Sequence, residues 1–451
     1  AACVNPVVSS GSFCLEGGCD SDRGLEGWAV VQVTDMQRHA DRWLYPHAAI
    51  SSRCWPGQLD SSHPRMREQC GLDLDSPWEH FAREPDPYSE PGGAGACSLM
   101  QITRSGFQHS LDLGRILAAQ YGPGGARPLP GLAGCPAGSV FLAADAVEKN
   151  QRTIEGVYEG LCGRRPSAAE FPASEVLVSG EVSEGVPFWL RPEGGLCSGP
   201  ELDALQGAAD AALASSQLYN LRLRQLAAEA ARLSGTDMPV HSGYTGVLSG
   251  VIDCAVCHAC LGLNDTPAPL VNASGALDEA GLFGSMDAAE TAAVLWPLSY
   301  HRSLGEQALR RYARLQFGPY FAVLLDRMQA AVEAAGEPGG LPVLYVQVMS
   351  DTNVLPQLVL LGLDRDAAVR PPWLATLVTE LWRHQSGAFG VRVLYNGAVR
   401  RPCAGQDGPI CPWAEFREKL LELVPDRSSC PRFFDHFRFR SSFVAPSRPS
   451  A

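Results

Sequence analysis

The sequence predicts an α/β protein in which a core sheet flanked by helices is interrupted by an inserted, mainly helical cap. Short apolar runs of strand length occur in residues 27–165 and again in 337–435, and in both parts they alternate with stretches of helical spacing. The residues between these two parts carry long alanine- and leucine-rich helical patterns. Strand–helix alternation on both sides of a helical block is typical of one α/β core with an insertion.

The N-terminal half of the predicted core contains two strands, each followed by a helix. GWAVVQVTDM (27–36) is β-branched and apolar, as a buried strand requires. After a polar excursion at 46–97, the helical spacing in ITRSGFQHSLDLGRILAAQYG ends at a glycine, which is typical of a helix C-terminus. SVFLAAD then predicts the second strand, and NQRTIEGVYEGL predicts the helix behind it.

The C-terminal half of the core follows GEPGG, where strand patterns return as LPVLYVQV, LATLVTELW and VRVLYNG. The cap helices are predicted from LDALQGAADAAL onward and from SLGEQALRRYARL onward. The prediction divides the chain into four parts. A Cys-, Gly- and Ser-rich extension covers residues 1–26, and a tail covers residues 436–451. The α/β core covers residues 27–165 and 337–435, and the helical cap, residues 166–336, is inserted between its two pieces.

Composition and charge exclude several classes of function. Hydrophobic residues make up 45% of the chain and charged residues 19%, which is typical of packed globular protein. The net charge of -13 argues against nucleic acid or an anionic membrane as the main partner. No apolar run is long enough to span a bilayer.

Fifteen cysteines, spread over the whole chain, predict an oxidising compartment, because a reducing cytosol rarely keeps so many. The start AACVNP is expected of a chain after removal of a signal peptide. Two triplets, at Asn264 and Asn272, fit N-glycosylation on a secretory route. We therefore expect an extracellular or luminal protein. The odd cysteine count leaves a thiol that is free or paired between chains.

The stretch CAVCHAC, residues 254–260, permits two interpretations. Its closely spaced cysteines with His258 could bind zinc or an iron–sulfur cluster. No further ligand follows at a suitable spacing, and the oxidising compartment favours disulfides within a loop of the cap.

A candidate catalytic site is predicted at the end of the first strand, in the segment Arg38-His39-Ala40-Asp41-Arg42. Ligand sites of α/β proteins form at the carboxyl ends of strands. Arginine forks bind phosphate oxygens, and a neutral imidazole between two arginines can attack phosphorus and carry the phosphoryl group. A lone histidine near arginines is also common as an ordinary structural residue, so this segment alone does not decide between the two.

Longer segments resemble the histidine acid phosphatases. QRHADRW resembles their Arg-His-Gly-x-Arg-x-Pro motif, and SDTNVLPQLVLLGL resembles their second motif, His-Asp followed by a proline and a leucine-rich helix. Three further segments resemble segments of the family and occur in the same order along the chain. They are the predicted helix ITRSGFQHSLDLGRILAAQY, the segment FLAADAVEKNQRTIEGVYEGL, and the C-terminal run from ELWRHQSGAFGVRVLYNG to CP. The resemblance covers most of residues 27–430 and implies a phosphoglycerate-mutase-like core sheet with a helical cap.

The resemblance also implies roles for individual residues. His39 matches the phosphate-accepting nucleophile and Asp351 the proton donor to the leaving alcohol. Three arginines match phosphate-binding positions: Arg38, Arg42 and Arg152. His109 matches the histidine of the family's Gln-His pair, and we expect it to be structural. Neither a metal nor another cofactor is implied.

Several positions depart from the family pattern, among them the proline of the first motif, which is displaced into WLYP here. Ser350 stands where the second motif has histidine, and a serine hydroxyl can donate a hydrogen bond to phosphate but cannot become cationic. Loss of one such contact can cost on the order of 10²–10³ in rate. Ala40 replaces the glycine of the first motif, which matters if the backbone there needs a positive φ. The first arginine of the segment before Arg152 is absent.

Two functions follow from these observations. The first is hydrolysis of a phosphomonoester, such as a phosphorylated sugar or glycan, through a phosphohistidine at His39. The second is a catalytically impaired family member that serves as a binding or structural module with a protein partner in an extracellular assembly. Retention of the matched residues favours the first, while Ser350, Ala40 and the cysteine framework favour the second.

Overall fold

The computed structural model describes the chain over residues 6–10, 25–41, 101–144, 148–166, 197, 200–215, 306–334, 341–363, 371–403, 408–437, 439 and 441–442. The predicted excursion at 46–97, the CAVCHAC stretch, both predicted glycosylation sites and Arg42 lie outside these ranges.

Within these ranges the chain forms an alternation of strands and helices. The strands are β1 (Trp28–Arg38), β2 (Val140–Ala144), β3 (Leu344–Met349), β4 (Thr376–His384), β5 (Phe389–Tyr395), β6 (Ala398–Arg400) and β7 (Cys411–Pro412). The helices are α1 (Pro6–Ser10), α2 (Arg104–Tyr121), α3 (Glu148–Cys162), α4 (Pro200–Ser215), α5 (Glu306–Glu333), α6 (Asp351–Leu361), α7 (Trp413–Leu423) and α8 (Pro431–His436). The predicted strands and flanking helices are confirmed.

One mixed sheet in the order β2-β3-β1-β4-β5-β6, with β7 paired to β5, joins all strands of the described ranges. β2, β3 and β1 run parallel, whereas β4 and the strands beyond it are antiparallel to their neighbours. In the β1–β3 pair Arg38 lies opposite Met349, so both strands end at the same edge. The residues that follow β1 and β3 therefore meet at the carboxyl edge of the sheet.

Apolar side chains cover both faces of the sheet. One face packs against α5, α6, α7 and α8 in a single hydrophobic cluster, and the other packs against α1, α2 and α3. Val7 of α1 is fully buried in the second cluster, so this part of the predicted N-terminal extension contributes to the core. The close approach of α2 and α3 depends on glycines, since a Cβ at Gly160 would lie 2.0 Å from the Leu111 carbonyl oxygen.

The helix α5 lies in the range that the domain prediction assigned to the cap. From Phe317 to Met328 its apolar side chains are buried in the cluster against the sheet. Apolar residues surround this helix rather than forming one stripe, so its sequence did not indicate which surface it would pack against. The limits of the cap stay a prediction, because most of residues 167–305 lie outside the described ranges.

A buried polar group ties α2 to the sheet. The Glu380 carboxylate accepts hydrogen bonds from Tyr121 (2.6 Å), from the Trp382 indole (3.0 Å) and from Arg392 Nη2 (3.0 Å). Burial, reinforced by the Glu380 charge, holds the pKa of Tyr121 well above its ordinary value, so its hydroxyl keeps the proton that it donates. Every oxygen of this buried carboxylate is thus paired.

Three disulfides link described cysteines: Cys135–Cys162, Cys197–Cys430 and Cys403–Cys411. They confirm the prediction of disulfide bonds and fit an oxidising compartment. Across the described ranges, none of the helices combines the length and the apolar character needed to cross a membrane.

Candidate active site

The candidate site lies at the carboxyl edge of the sheet, where His39 directly follows β1. The backbone of His39 is bound on both sides: its N–H donates to the Met349 carbonyl (2.8 Å), and its carbonyl accepts from Leu374 N–H (3.2 Å). Its side chain is buried, and Nδ1 lies 2.8 Å from the Ala40 carbonyl oxygen. Since a carbonyl only accepts, Nδ1 of the neutral ring carries the proton and Nε2 keeps its lone pair.

Arg38 brings the two halves of the core together. Its Nη2 lies 3.1 Å from Asp351 Oδ2, and its Nη1 donates to the Pro371 carbonyl (2.6 Å). Asp351 is the first residue of α6, directly after β3, which runs parallel beside β1. Two residues 313 positions apart in the sequence are thereby brought into contact at the candidate site, with side chains only 3% and 12% exposed.

Ser350, between β3 and α6, caps the helix with its backbone alone. It has extended φ and ψ of -92° and 166°, and its side chain makes no capping hydrogen bond. Its carbonyl accepts from Asn353 N–H at 3.0 Å. The Ser350 hydroxyl is thus not engaged in holding the first turn of α6, which begins at the same edge as His39.

Arg152 lies in the second turn of α3, the helix that follows β2. Its side chain is buried and donates to Glu155 Oε2 at 3.0 Å. The next residue, Thr153, accepts a hydrogen bond from the Ala40 N–H (3.0 Å) and donates to the Lys149 carbonyl (2.6 Å). The helix that carries Arg152 is therefore fastened to the residue after His39.

Ala40 does not strain the segment that carries His39. Positive φ angles at non-glycine residues occur, within the described ranges, at Cys135, Leu374 and Asn396, and Ala40 is not among them. Its methyl group is fully buried in the apolar cluster beside α2 and α3. The departure from glycine at this position therefore costs no backbone conformation.

Two supporting elements were not identified from the sequence. Thr153 supplies the hydroxyl for Ala40, and the turn at residues 371–375 supplies the Pro371 carbonyl for Arg38 and the Leu374 N–H for His39. Leu374 has a φ of 59°, which a non-glycine residue rarely adopts. Thr153 could have been identified from its position directly after Arg152. The backbone contacts from the distant turn leave no signal in the sequence.

No family model matches the chain. Curated proteins with similar sequences include lysophosphatidic acid phosphatase type 6 of Mus musculus, 29% identical over 112 residues, or 25% of this chain and 26% of that protein. The same phosphatase of Homo sapiens is 26% identical over 121 residues, or 26% of this chain and 28% of that protein. The matched segment thus spans about a quarter of the length of these relatives.

The fold resembles that of the phytase from Citrobacter braakii, with a TM-score of 0.56 and 14% identity, covering 90% of this chain and 99% of that one. At this identity the likeness concerns the fold alone. The fold agrees with the predicted core sheet and its flanking helices, and the sequence matches are to phosphatases of the family that the motifs predicted. In sequence the chain is thus similar, over about a quarter of its length, to lysophosphatidic acid phosphatase type 6, and in fold it is similar to a phytase, in agreement with the resemblance to histidine acid phosphatases.

Proposed function

We propose that this protein hydrolyses phosphomonoesters through a covalent phosphohistidine at His39. The observation that carries the proposal is the junction of β1 and β3, where a buried imidazole, with Nδ1 2.8 Å from the Ala40 carbonyl oxygen, directly follows Arg38, itself in contact with Asp351. A nucleophile, a fixed cation and a carboxyl group are the parts that phosphoryl transfer through histidine requires.

The proposed reaction has two steps. In the first, Nε2 of His39 attacks phosphorus, the P–O bond to the alcohol breaks, and Asp351 gives its proton to the leaving oxygen. In the second, Asp351 takes a proton from water, the hydroxide oxygen bonds to phosphorus, and the N–P bond breaks to release inorganic phosphate and His39. In both transition states negative charge is spread over the phosphoryl oxygens, so guanidinium groups aimed at those oxygens lower the barrier.

Phosphate binding is proposed for Arg38, Arg42 and Arg152, with Ser350 as a neutral donor. Arg38 is held in place by the Pro371 carbonyl, and Arg152 lies on the helix fastened to Ala40. Ser350 follows β3 as His39 follows β1, and its hydroxyl is not used to cap α6. Arg42 follows the described segment at 25–41, and its role rests on the sequence motif.

The proposed substrate is a phosphorylated sugar or glycan, met outside the cell or in the secretory lumen. The sequence resembles 2-phosphoxylose phosphatase in its C-terminal run and its CAVCHAC stretch, and the three disulfides support the compartment. Glycans at Asn264 and Asn272 belong to the same proposal. A role as a binding module in an extracellular assembly is the second candidate, and the absence of a second-motif histidine at Ser350 favours it.

The test is hydrolysis of an aryl phosphate between pH 4 and pH 8 by the wild type, His39→Ala and His384→Ala. His384 lies at the opposite edge of the sheet, paired with Trp28 at the start of β1, so it is a matched control. We expect activity in the wild type and the control, and its loss in His39→Ala. A 32P-labelled, acid-labile and base-stable phosphoenzyme should form in the same two proteins. Equal rates in wild type and His39→Ala would refute the proposal and favour the binding module.

A further inference from the structure

The two residues that follow His39 are clamped between the starts of two helices. Ala40 N–H donates to Thr153 on α3, and the Asp41 carbonyl accepts from Thr103 N–H (3.1 Å) at the N-terminus of α2. Gly106 of α2 approaches so closely that a Cβ there would lie 2.2 Å from the Asp41 carbonyl oxygen. The position of the His39 ring thus depends on how residues 40 and 41 are held.

The Asp41 side chain is the charged member of this clamp. It is only 2% exposed, and its Oδ2 lies 3.0 Å from Nδ1 of His109, the histidine that the sequence led us to expect as merely structural. Its other oxygen, Oδ1, is buried and has no hydrogen-bond partner among the described residues. A buried carboxylate is costly unless a charge compensates it.

His109 differs from Asp41 in its access to water. Its side chain is 33% exposed, so it can exchange a proton with solvent while it stays in contact with the buried carboxylate. Among the described residues, Asp112 on its own helix also acts on the charge of His109, and Asp112 itself pairs with Arg115 at 2.7 Å. The face of α3 opposite this part of α2 presents Gly156 and Gly160.

We propose that His109 and Asp41 form a positioning pair, in which protonation of His109 fixes the segment after β1 and so holds the His39 ring in its reactive orientation. This inference rests on the proposed phosphatase function. His109 does not touch the phosphoryl group; it acts through Asp41. The neutral ring can still donate a hydrogen bond from Nδ1, so loss of the proton weakens the pair without breaking it.

The sign of the pH dependence follows from the contacts. The hydrogen bond that His109 donates to Asp41 and the charges of Asp41 and Asp112 raise the pKa of His109 above its ordinary 6.5, against the opposing effect of burial. A histidine with a raised pKa in the folded state contributes fully below about 6.5 and loses this contribution as pH rises through the raised pKa. The pair therefore holds His39 most firmly under acidic conditions.

The experiment compares kcat/KM for an aryl phosphate between pH 4.5 and pH 9 in the wild type, His109→Gln, Asp41→Asn and the double variant. Glutamine keeps a donor but cannot become charged. We expect the ratio of wild type to His109→Gln to be severalfold at low pH and to fall toward one as pH rises. The midpoint of this fall should equal the His109 pKa measured by NMR with 13C-labelled histidine. His384→Gln, the control, should give a flat ratio.

The double variant should be no slower at low pH than the slower single variant, since both changes remove one interaction. A wild type that is active with a flat ratio, or with a midpoint away from the His109 pKa, would overturn the positioning pair and leave the proposed function standing. A wild type without phosphatase activity would overturn both. The NMR titration also distinguishes a variant that has lost its fold, because the other histidines would then shift together.

Discussion

Asp35 in the middle of β1 should make the protein less stable as pH rises. Its side chain is fully buried, and burial raises its pKa from 3.8 to about 7, a rise that the hydrogen bond from Gln37 only partly offsets. Asp35 and Gln37 lie two positions apart in β1 and so point to the same face of the sheet. When folding raises the pKa of a carboxyl group, the native state is more stable while that carboxyl group is protonated than when it is ionised.

The magnitude follows from proton linkage. Each unit of pKa difference corresponds to about 1.36 kcal/mol, so the rise of Asp35 from 3.8 to about 7 corresponds to roughly 4 kcal/mol. The stabilisation is fully present below about pH 4, falls as pH rises through the folded pKa near 7, and changes little above it. Asp35→Asn removes this dependence, because an amide does not ionise.

The assay is urea unfolding without reductant, followed by tryptophan fluorescence at pH 4 and pH 8. Between these two pH values we expect the stability of Asp35→Asn relative to the wild type to rise by a few kcal/mol. Asp435→Asn, which changes an exposed carboxylate paired with Arg427, is the control and should show no such rise. A difference between Asp35→Asn and wild type that is the same at both pH values would refute the burial argument.

Three further changes test contacts around the site and the core. Ser350→His should raise kcat/KM up to about 10²-fold, since it restores a cationic donor at the carboxyl edge. Thr153→Val should destabilise the protein by about 1–3 kcal/mol, because the Ala40 N–H loses its partner, and denaturant unfolding measures this. Glu380→Gln should cost about 3–5 kcal/mol in the same assay, because Arg392 is left as a buried charge without its counterion.

Two of these changes, Ser350→His and Glu380→Gln, have a matched control. Ser350→Ala keeps the small size but removes the hydroxyl, and an equal rate for Ser350→Ala and Ser350→His would exclude a donor role at this position. Glu418→Gln alters an exposed ion pair with Arg417 and should change stability by less than about 0.5 kcal/mol. If Glu380→Gln were no more destabilising than Glu418→Gln, the buried pair would not hold the sheet as the structure indicates.

The contact between Arg38 and Asp351 could be anticipated from the sequence because each residue follows a strongly apolar strand. Strands of that kind are buried and parallel in α/β proteins, and their carboxyl ends collect at one edge. The strand pattern thus predicted the fold and also where these two side chains would lie. Roles in catalysis came from the family motifs and stay predictions until activity is measured.

The supporting contacts could not be anticipated, for a physical reason. The Leu374 N–H and the Pro371 carbonyl are backbone groups, which every residue type presents alike, so no side-chain pattern marks them. His109 and Asp41 are 68 positions apart and belong to a helix and a loop that no periodicity relates. The packing of α5 could not be anticipated, because its apolar residues surround the helix and so point to no single face.

The ion pair between Arg38 and Asp351 constrains the proposed mechanism. A carboxylate 3.1 Å from a guanidinium is held in its charged form, whereas a proton donor must be protonated. A phosphomonoester dianion resolves this conflict, because it takes the Arg38 donors for itself and its charge then favours protonation of the nearby Asp351. Substrate binding would therefore replace Asp351 by the phosphate as the partner of Arg38, and would favour the protonated, proton-donating form of Asp351 in the same event.

Asp351→Asn tests this exchange through the leaving group. An alkyl alcohol leaves poorly without a proton, while a nitrophenolate leaves readily as an anion, so the variant should lose much more activity on an alkyl phosphate than on nitrophenyl phosphate. Its affinity for inorganic phosphate should rise, since Arg38 no longer has a carboxylate competitor. Ser350→Ala is the control and should lower the activity on both substrates by a similar factor. Equal losses on the two substrates, with unchanged phosphate affinity, would show that Asp351 neither donates the proton nor competes for Arg38.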